Sequence, residues 1–70
     1  MMGLTHKQME ALEFIRTYMS SNKGISPSVA EISLAMNSNS KSQAHNLIRG
    51  LRERGAIDFM DRRHRSITLL

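Results

Sequence analysis

Ser40-Lys41-Ser42-Gln43-Ala44-His45-Asn46-Leu47-Ile48-Arg49-Gly50-Leu51-Arg52-Glu53-Arg54-Gly55 reads as one helix with two unlike faces. Ser40 followed three residues later by Gln43 has the form of a capping box. Ala44, Leu47, Ile48 and Leu51 make a narrow apolar stripe of roughly 100°, the width of one buried face. Opposite it stand Ser42, His45, Asn46, Arg49 and Glu53, with Gln43 and Arg52 on the flanks. An ordinary solvated face is filled with Glu and Lys. This one holds Ser, Gln, His, Asn and Arg, which can donate to base edges or phosphates. Gly55 closes the helix, predicted over 41–54. Gly50 in its middle costs about 1 kcal/mol relative to Ala, and the sequence gives no reason for it.

On the N-terminal side, Asn37-Ser38-Asn39 reads as a turn, with Asn37 suited to a left-handed cap. Before it Ser28-Val29-Ala30-Glu31 is another capping box, opening a short helix over 29–36. Val29, Ile32, Ala35 and Met36 line one face of that helix and Leu34 points away from it. Ile25-Ser26-Pro27 is extended, because the residue before a proline avoids the helical region. The first helix, over 6–20, starts at a third box formed by Thr5 and Gln8, with Leu4 and Met9 at the staple positions. Ala11, Leu12, Phe14, Ile15, Tyr18 and Met19 share its apolar arc. Its end is the run Ser20-Ser21-Asn22-Lys23, closed by Gly24.

On the C-terminal side the pattern alternates. Ile57, Phe59, Ile67 and Leu69 fall on one face, with Asp58, Ser66 and Thr68 on the other. Asp61-Arg62-Arg63-His64 lies between, so the segment 56–70 reads as a β-hairpin whose turn lacks Gly or Asn. Two helices joined by a short turn and followed by a basic strand pair give a single domain over 1–70. It is mainly α with a small β-hairpin, a three-helix winged helix-turn-helix.

Charge points to the partner. The formal net charge is +4, yet residues 1–39 balance three cations with three acids. Residues 40–70 carry seven cations, Lys41, Arg49, Arg52, Arg54, Arg62, Arg63 and Arg65, against Glu53, Asp58 and Asp61. Six of the seven are arginine, which forks onto phosphate or guanine. Double-stranded DNA is the expected partner. In a helix-turn-helix the second helix enters the major groove with its N-terminal residues at the base edges. Ser42, Gln43, His45 and Asn46 are then the readers, Arg49 and Arg52 lie further along toward the backbone, Lys41 is a further candidate phosphate contact, and the hairpin tip with Arg62, Arg63 and Arg65 reaches phosphate or an adjacent minor groove.

Other classes fare worse. With no cysteine, disulfides and thiolate metal sites are excluded, and His6, His45 and His64 lack ligand-like spacing. No cofactor, metal or small-molecule substrate is expected, and 70 residues leave little room for a water-excluding catalytic pocket. No apolar run reaches membrane-spanning length and no signal-peptide pattern opens the chain, so a cytoplasmic, non-membrane protein is expected. The exposed apolar candidates, chiefly Leu34, Met1 and Met2, are few, so the expected state is a monomer in solution, with any pairing confined to DNA. A rival reading is a winged helix used for protein contact, for example a phage or plasmid antagonist of a host regulator. Leu34, the six methionines and Gly50 suit it. The concentration of cations in the last 31 residues does not.

Leu4-Thr5-His6-Lys7-Gln8, Phe14-Ile15-Arg16, Ser26-Pro27-Ser28-Val29-Ala30-Glu31-Ile32, Gly55-Ala56-Ile57 and Ile67-Thr68-Leu69-Leu70, in that order, resemble the N-terminal DNA-binding domain of the LexA repressors. The resemblance covers about residues 3–70. It implies a winged helix-turn-helix that binds operator DNA and represses transcription, with Ser40, Ser42, Gln43, His45 and Asn46 matching the family's DNA-contacting stretch. Lys41 and Ser42 stand where the family usually has proline and asparagine, and His45 and Asn46 where it has two acidic residues, so no operator sequence carries over. Arg62-Arg63-His64-Arg65 replaces a small, glycine-bearing wing, which implies heavier use of phosphate contacts. The matched stretch stops before the family's linker and self-cleaving dimerisation domain, as in an excised domain or a short stand-alone relative, and self-cleavage is not inferred.

Overall fold

The Thr5 hydroxyl accepts the Gln8 N–H at 3.1 Å, while the Gln8 side-chain oxygen accepts the Thr5 N–H at 2.9 Å. At this reciprocal cap begins α1, His6–Ser21. A computed structural model of the chain describes residues 3–37, 41–61, 63 and 65–70. Ser28 and Glu31 repeat the device, at 3.2 and 2.8 Å, to start α2, Val29–Ala35. The third helix, α3, is Lys41–Glu53. Its expected cap, Ser40, lies outside the described residues. The strands β1, Ile57–Asp58, and β2, Thr68–Leu69, pair antiparallel with Ile57 opposite Leu69 and Asp58 opposite Thr68. Three helices and a two-stranded hairpin make this a winged helix-turn-helix.

The helix ends follow the residues available for left-handed backbone. Asn37, just past α2, has φ 53°. After α3 the Ala56 N–H bonds Leu51 O at 3.0 Å and the Gly55 N–H bonds Arg52 O at 3.0 Å, with Gly55 at φ 79°. That is the paired closure which consumes two orphan helix carbonyls. At the end of α1 the reversal comes earlier than the sequence suggested. Lys23 already has φ 58°, and the Gly24 N–H closes on Met19 O at 2.7 Å.

The core draws on all three helices, on β1 and on residues flanking the two strands. Ala11, Leu12 and Ile15 of α1, Ile32 of α2 and Ala44, Ile48 and Leu51 of α3 are buried together with Ala56, Ile57, Phe59 and Ile67. Leu34 is 78% exposed, as its position off the stripe required. Three expectations fail at the edges, the first being Ala35, which is exposed although its spacing put it on the inner face of α2. Met9 is exposed rather than stapled into the core, and Leu69 is exposed although it faces Ile57 across the ladder. β2 pairs with β1 alone, so no further strand covers its outer side.

The hairpin is also shorter than the alternation implied. Only two residue pairs form the ladder, and Ser66 replaces it in the loop. The Met60 N–H donates to the Ser66 hydroxyl at 2.9 Å, and that hydroxyl lies 3.1 Å from Met60 O and 3.3 Å from Arg63 O. Arg65, at φ 53°, breaks the extended run where a turn lacking Gly and Asn must still reverse. The return strand is then tied to the helices, since the Ile67 N–H donates to the buried Ser26 hydroxyl at 3.1 Å.

Two further links connect the elements. A Cβ placed on Gly50 would lie 2.5 Å from Gln8 Nε2, so the glycine admits the capping side chain of α1 against α3. Between α1, α2 and the wing, Glu31 Oε2 accepts from the Tyr18 hydroxyl at 3.1 Å and Glu31 Oε1 from Arg65 Nη1 at 2.8 Å. The Ser28 N–H first, and then Arg65, hold the Glu31 carboxyl at about 2, below its ordinary 4.5.

Gly50 and Gln8 should therefore be coupled. Gly50→Ala should raise stability by about 1 kcal/mol, the propensity gain, in a Gln8→Ala background, and yield clearly less in the wild type, where Gln8 must move. Chemical denaturation of the four proteins checks this, and equal effects in both backgrounds would separate the two residues. For Glu31 the sign is set by its depressed pKa: its contribution is fully present above the unfolded value and is lost as pH falls from 4.5 to about 2, because the unfolded chain takes up the proton first. Across that window the wild type should lose stability more steeply than Glu31→Gln. Parallel stability–pH curves would contradict it.

Candidate nucleic-acid interface

The outward face of α3 is built by what its inward face gives up. Burial of Ala44, Ile48 and Leu51 fixes the helix rotation, and the 100° step then turns Lys41, Ser42, Asn46 and Arg49 to solvent. Lys41, Ser42, His45, Asn46 and Arg49 line one shallow depression together with Val29 of α2. Gln43 and Asn46 border a second hollow beside Lys7, Met36 and Asn37. Asn46 therefore stands on the ridge between the two. Gln43 is exposed like its neighbours.

His45 is half-buried and differs from the others on this face. Its ring meets Phe59 edge-on, with centroids 6.1 Å apart and planes at 66°. It also lines the cleft between α3 and the wing, opposite Met60, Arg63 and Ser66. Among the described residues, Ser42, His45 and Asn46 are brought together on one surface, Gln43 borders the adjoining hollow, and His45 links this surface to the wing.

The arginines divide into two kinds. Arg49 and Arg63 are exposed, and Arg63 makes only a 3.9 Å contact to the Met60 sulfur among those described for its side chain. Arg52 instead lies on the base of the wing. Its guanidinium carbon sits 4.0 Å from the Phe59 ring centroid, and its Nη1 lies 3.3 Å from Asp61 Oδ1 and 3.4 Å from Phe59 O. A cation over an aromatic face at a partly exposed site contributes about 0.5–1 kcal/mol, so Arg52 has a structural use whatever else it touches. Arg65 Nη1 lies within 3.0 Å of Glu31 Oε1, the Tyr18 hydroxyl and Ser26 O. The hydrogen bond to Glu31, then that to Tyr18, raise its pKa further. Ser40, Arg62 and His64 lie outside the described residues.

Sequence reading missed the partners that hold the wing. Phe59 reads as a core residue, and it is one, but its outer ring face also carries Arg52. Tyr18 reads as part of an apolar arc and Glu31 as a cap. Neither has a local signal for Arg65, which is 47 and 34 positions away. The hydroxyl on the end of an otherwise apolar stripe is the one hint, since a half-buried Tyr seeks a partner for its polar tip. Among the described residues there is no group of three His, Cys, Asp or Glu placed to hold a metal, and no helix is long and apolar enough to cross a membrane.

Residues 1–66 match the family described as the LexA DNA binding domain. The chain is 45% identical to a LexA repressor of Cereibacter sphaeroides over 67 residues, 96% of this chain and 29% of that protein. It is 45% identical to a LexA repressor of Novosphingobium aromaticivorans, covering 28% of that protein, and 43% identical to one of Zymomonas mobilis, covering 30%, each again over 96% of this chain. The chain spans less than a third of the length of the curated relatives it matches. With a family match that spans α1, α2, α3 and β1, and relatives 43–45% identical over 96% of this chain, the chain belongs to the LexA DNA-binding domain family.

Proposed function

We propose that this domain binds double-stranded DNA sequence-specifically and acts as a transcriptional repressor in the cytoplasm, with α3 in the major groove and the wing on the sugar–phosphate backbone. The observation that carries the reading is the surface of α3: Lys41, Ser42, Gln43, Asn46 and Arg49 are exposed on it, while Ala44, Ile48 and Leu51 are buried. Ser40, Ser42, Gln43, His45 and Asn46 read base edges or the adjacent phosphates. Asn and Gln have the fork that pairs with adenine, and Ser is tolerant. Lys41, Arg49 and Arg52 serve the backbone beside the groove, and Arg62, Arg63 and Arg65 belong to the wing's side of the grip.

The departures in α3 make the operator its own. Lys41 puts a cation in the first turn, and His45 with Asn46 puts donors where the family carries carboxylates. Carboxylates accept from cytosine; Asn and His do not discriminate in that way. The domain is proposed to be a monomer in free solution that covers one half-site. Two half-sites one helical turn apart then supply specificity, with any pairing confined to DNA.

Titrating duplex DNA across a salt series tests the first part. The logarithm of affinity should fall with the logarithm of salt at a slope of roughly −3 to −5, about −0.9 for each phosphate neutralised. On a selected site Asn46→Ala should relax preference at one or two base pairs, at about 1–3 kcal/mol, whereas Arg63→Ala should weaken all sequences alike. No salt-dependent binding would leave protein contact as the function. If Arg63→Ala changed sequence preference more than Asn46→Ala, α3 would not be the reading element. Sedimentation of the free domain checks the monomer, which a stable dimer at micromolar concentration would overturn.

A further inference from the structure

Counting charge in the sequence makes Arg65 one more cation for the DNA. Its surroundings give it a different task. Its Nη1 is shared among Glu31 Oε1 at 2.8 Å, the Tyr18 hydroxyl at 2.9 Å and Ser26 O at 3.0 Å. These three acceptors come from α2, α1 and the segment between them. Tyr18 in turn donates to Glu31 Oε2 at 3.1 Å, so the carboxylate, the phenol and the guanidinium form a closed set. The backbone of Arg65 is left-handed, a conformation that a side chain bearing a Cβ disfavours and that persists when the surroundings determine it. Nη1 is committed to protein acceptors, and the Glu31 carboxylate already serves the guanidinium as its counter-ion.

We propose that Arg65 is a positioning residue for DNA binding. It anchors the wing to α1 and α2, and thereby sets where the freely exposed Arg63 stands relative to α3. Arg52 holds the other side of the wing, through the Phe59 ring and Asp61. The loop between β1 and β2 has almost no ladder of its own, so these two arginines, with Ser66 and Ser26, take over the restraint that further strand pairs would supply. The proposal rests on the DNA-binding reading only for its consequence. The anchor itself exists in the free protein.

Glu31→Gln gives a test by sign. Gln can still cap α2, because Gln and Glu serve alike in a capping box, and the net charge rises by one from +4. The retained Oε1 can still accept from Arg65, but as a neutral amide oxygen, so the ion pair is lost and the anchor weakened. If Arg65 were a phosphate contact, neutralising its competitor would strengthen binding to DNA. If Arg65 anchors the wing, affinity for random duplex should fall about 3- to 10-fold, the loss of roughly one phosphate contact at moderate salt. The effect of Arg63→Ala should then shrink in the Glu31→Gln background. Tyr18→Phe deletes only the hydroxyl, keeps the ring beside Phe14, changes no charge, and should act in the same direction more weakly. In the free protein the Ile67 amide, bonded to Ser26 Oγ, should exchange with solvent faster in both variants. Affinity that rises or stays level in Glu31→Gln overturns the proposal. So does a fall that leaves the Arg63→Ala effect undiminished, or an unchanged Ile67 exchange rate. Should the wild type bind no duplex at all, the DNA-binding reading fails, and the exchange measurement still decides the anchor.

Discussion

The buried stripe of α3 is the constraint from which the rest of the molecule follows. Ala44, Ile48 and Leu51 have no more than 2% of their surface exposed. α1 and α2 both pack against this face, and Ile57, Phe59 and Ile67 complete the enclosure. With the stripe satisfied in this way, the remaining arc of the helix is open along the length that holds Lys41 to Arg49. A wider stripe would have buried His45 or Arg49. A narrower one would have left α3 without a fixed rotation, and a helix free to rotate cannot present a fixed set of donors.

Close approach has its own demands. Gly50 sits where the capping side chain of α1 meets α3, and only a residue without Cβ leaves Gln8 in its bonded position. The helix-propensity loss at Gly50 is thereby offset by the intact cap of a different helix. Serine plays a comparable part in the wing. Ser26 and Ser66 satisfy backbone groups of residues 60, 63 and 67 that a longer ladder would have paired. In a chain this short, single side chains take over work that larger domains give to extended secondary structure.

The elements legible in the sequence are those governed by local rules. The capping boxes of α1 and α2, the left-handed Asn37, the glycine closure at Gly55 and the burial of Ala44, Ile48 and Leu51 depend on residues within a turn or two of one another, and each appears where the pattern put it. Across the wing the same reasoning weakened. Alternation from Ile57 to Phe59 and from Ile67 to Leu69 identified the strands, but it could not show that Arg65 would turn left-handed and end the ladder after two pairs. That outcome depends on Glu31 and Tyr18, which sequence spacing does not connect to Arg65. On α3 the set of exposed polar residues was legible because it follows from the stripe. The separate use of Arg52 was not, because a cation over an aromatic ring 7 positions away through a turn is a tertiary event.

This difference bears on how a repressor family diversifies. Residues that set the scaffold of this chain, Thr5 with Gln8, Ser28 with Glu31, and Gly55 with Ala56, are fixed by caps and turns whose chemistry admits few substitutes. They lie in the stretches that carry the family resemblance. Apart from the wing tip, the departures that the resemblance implies fall at Lys41, Ser42, His45 and Asn46, off the buried stripe of α3. Nothing in the core changes when these side chains change, with one exception. His45 touches Phe59, and Phe59 carries Arg52. A substitution at residue 45 therefore alters the exposed face of α3 and the seat of the wing together. Of the four positions it is the one whose side chain is tied both to that face and to the wing.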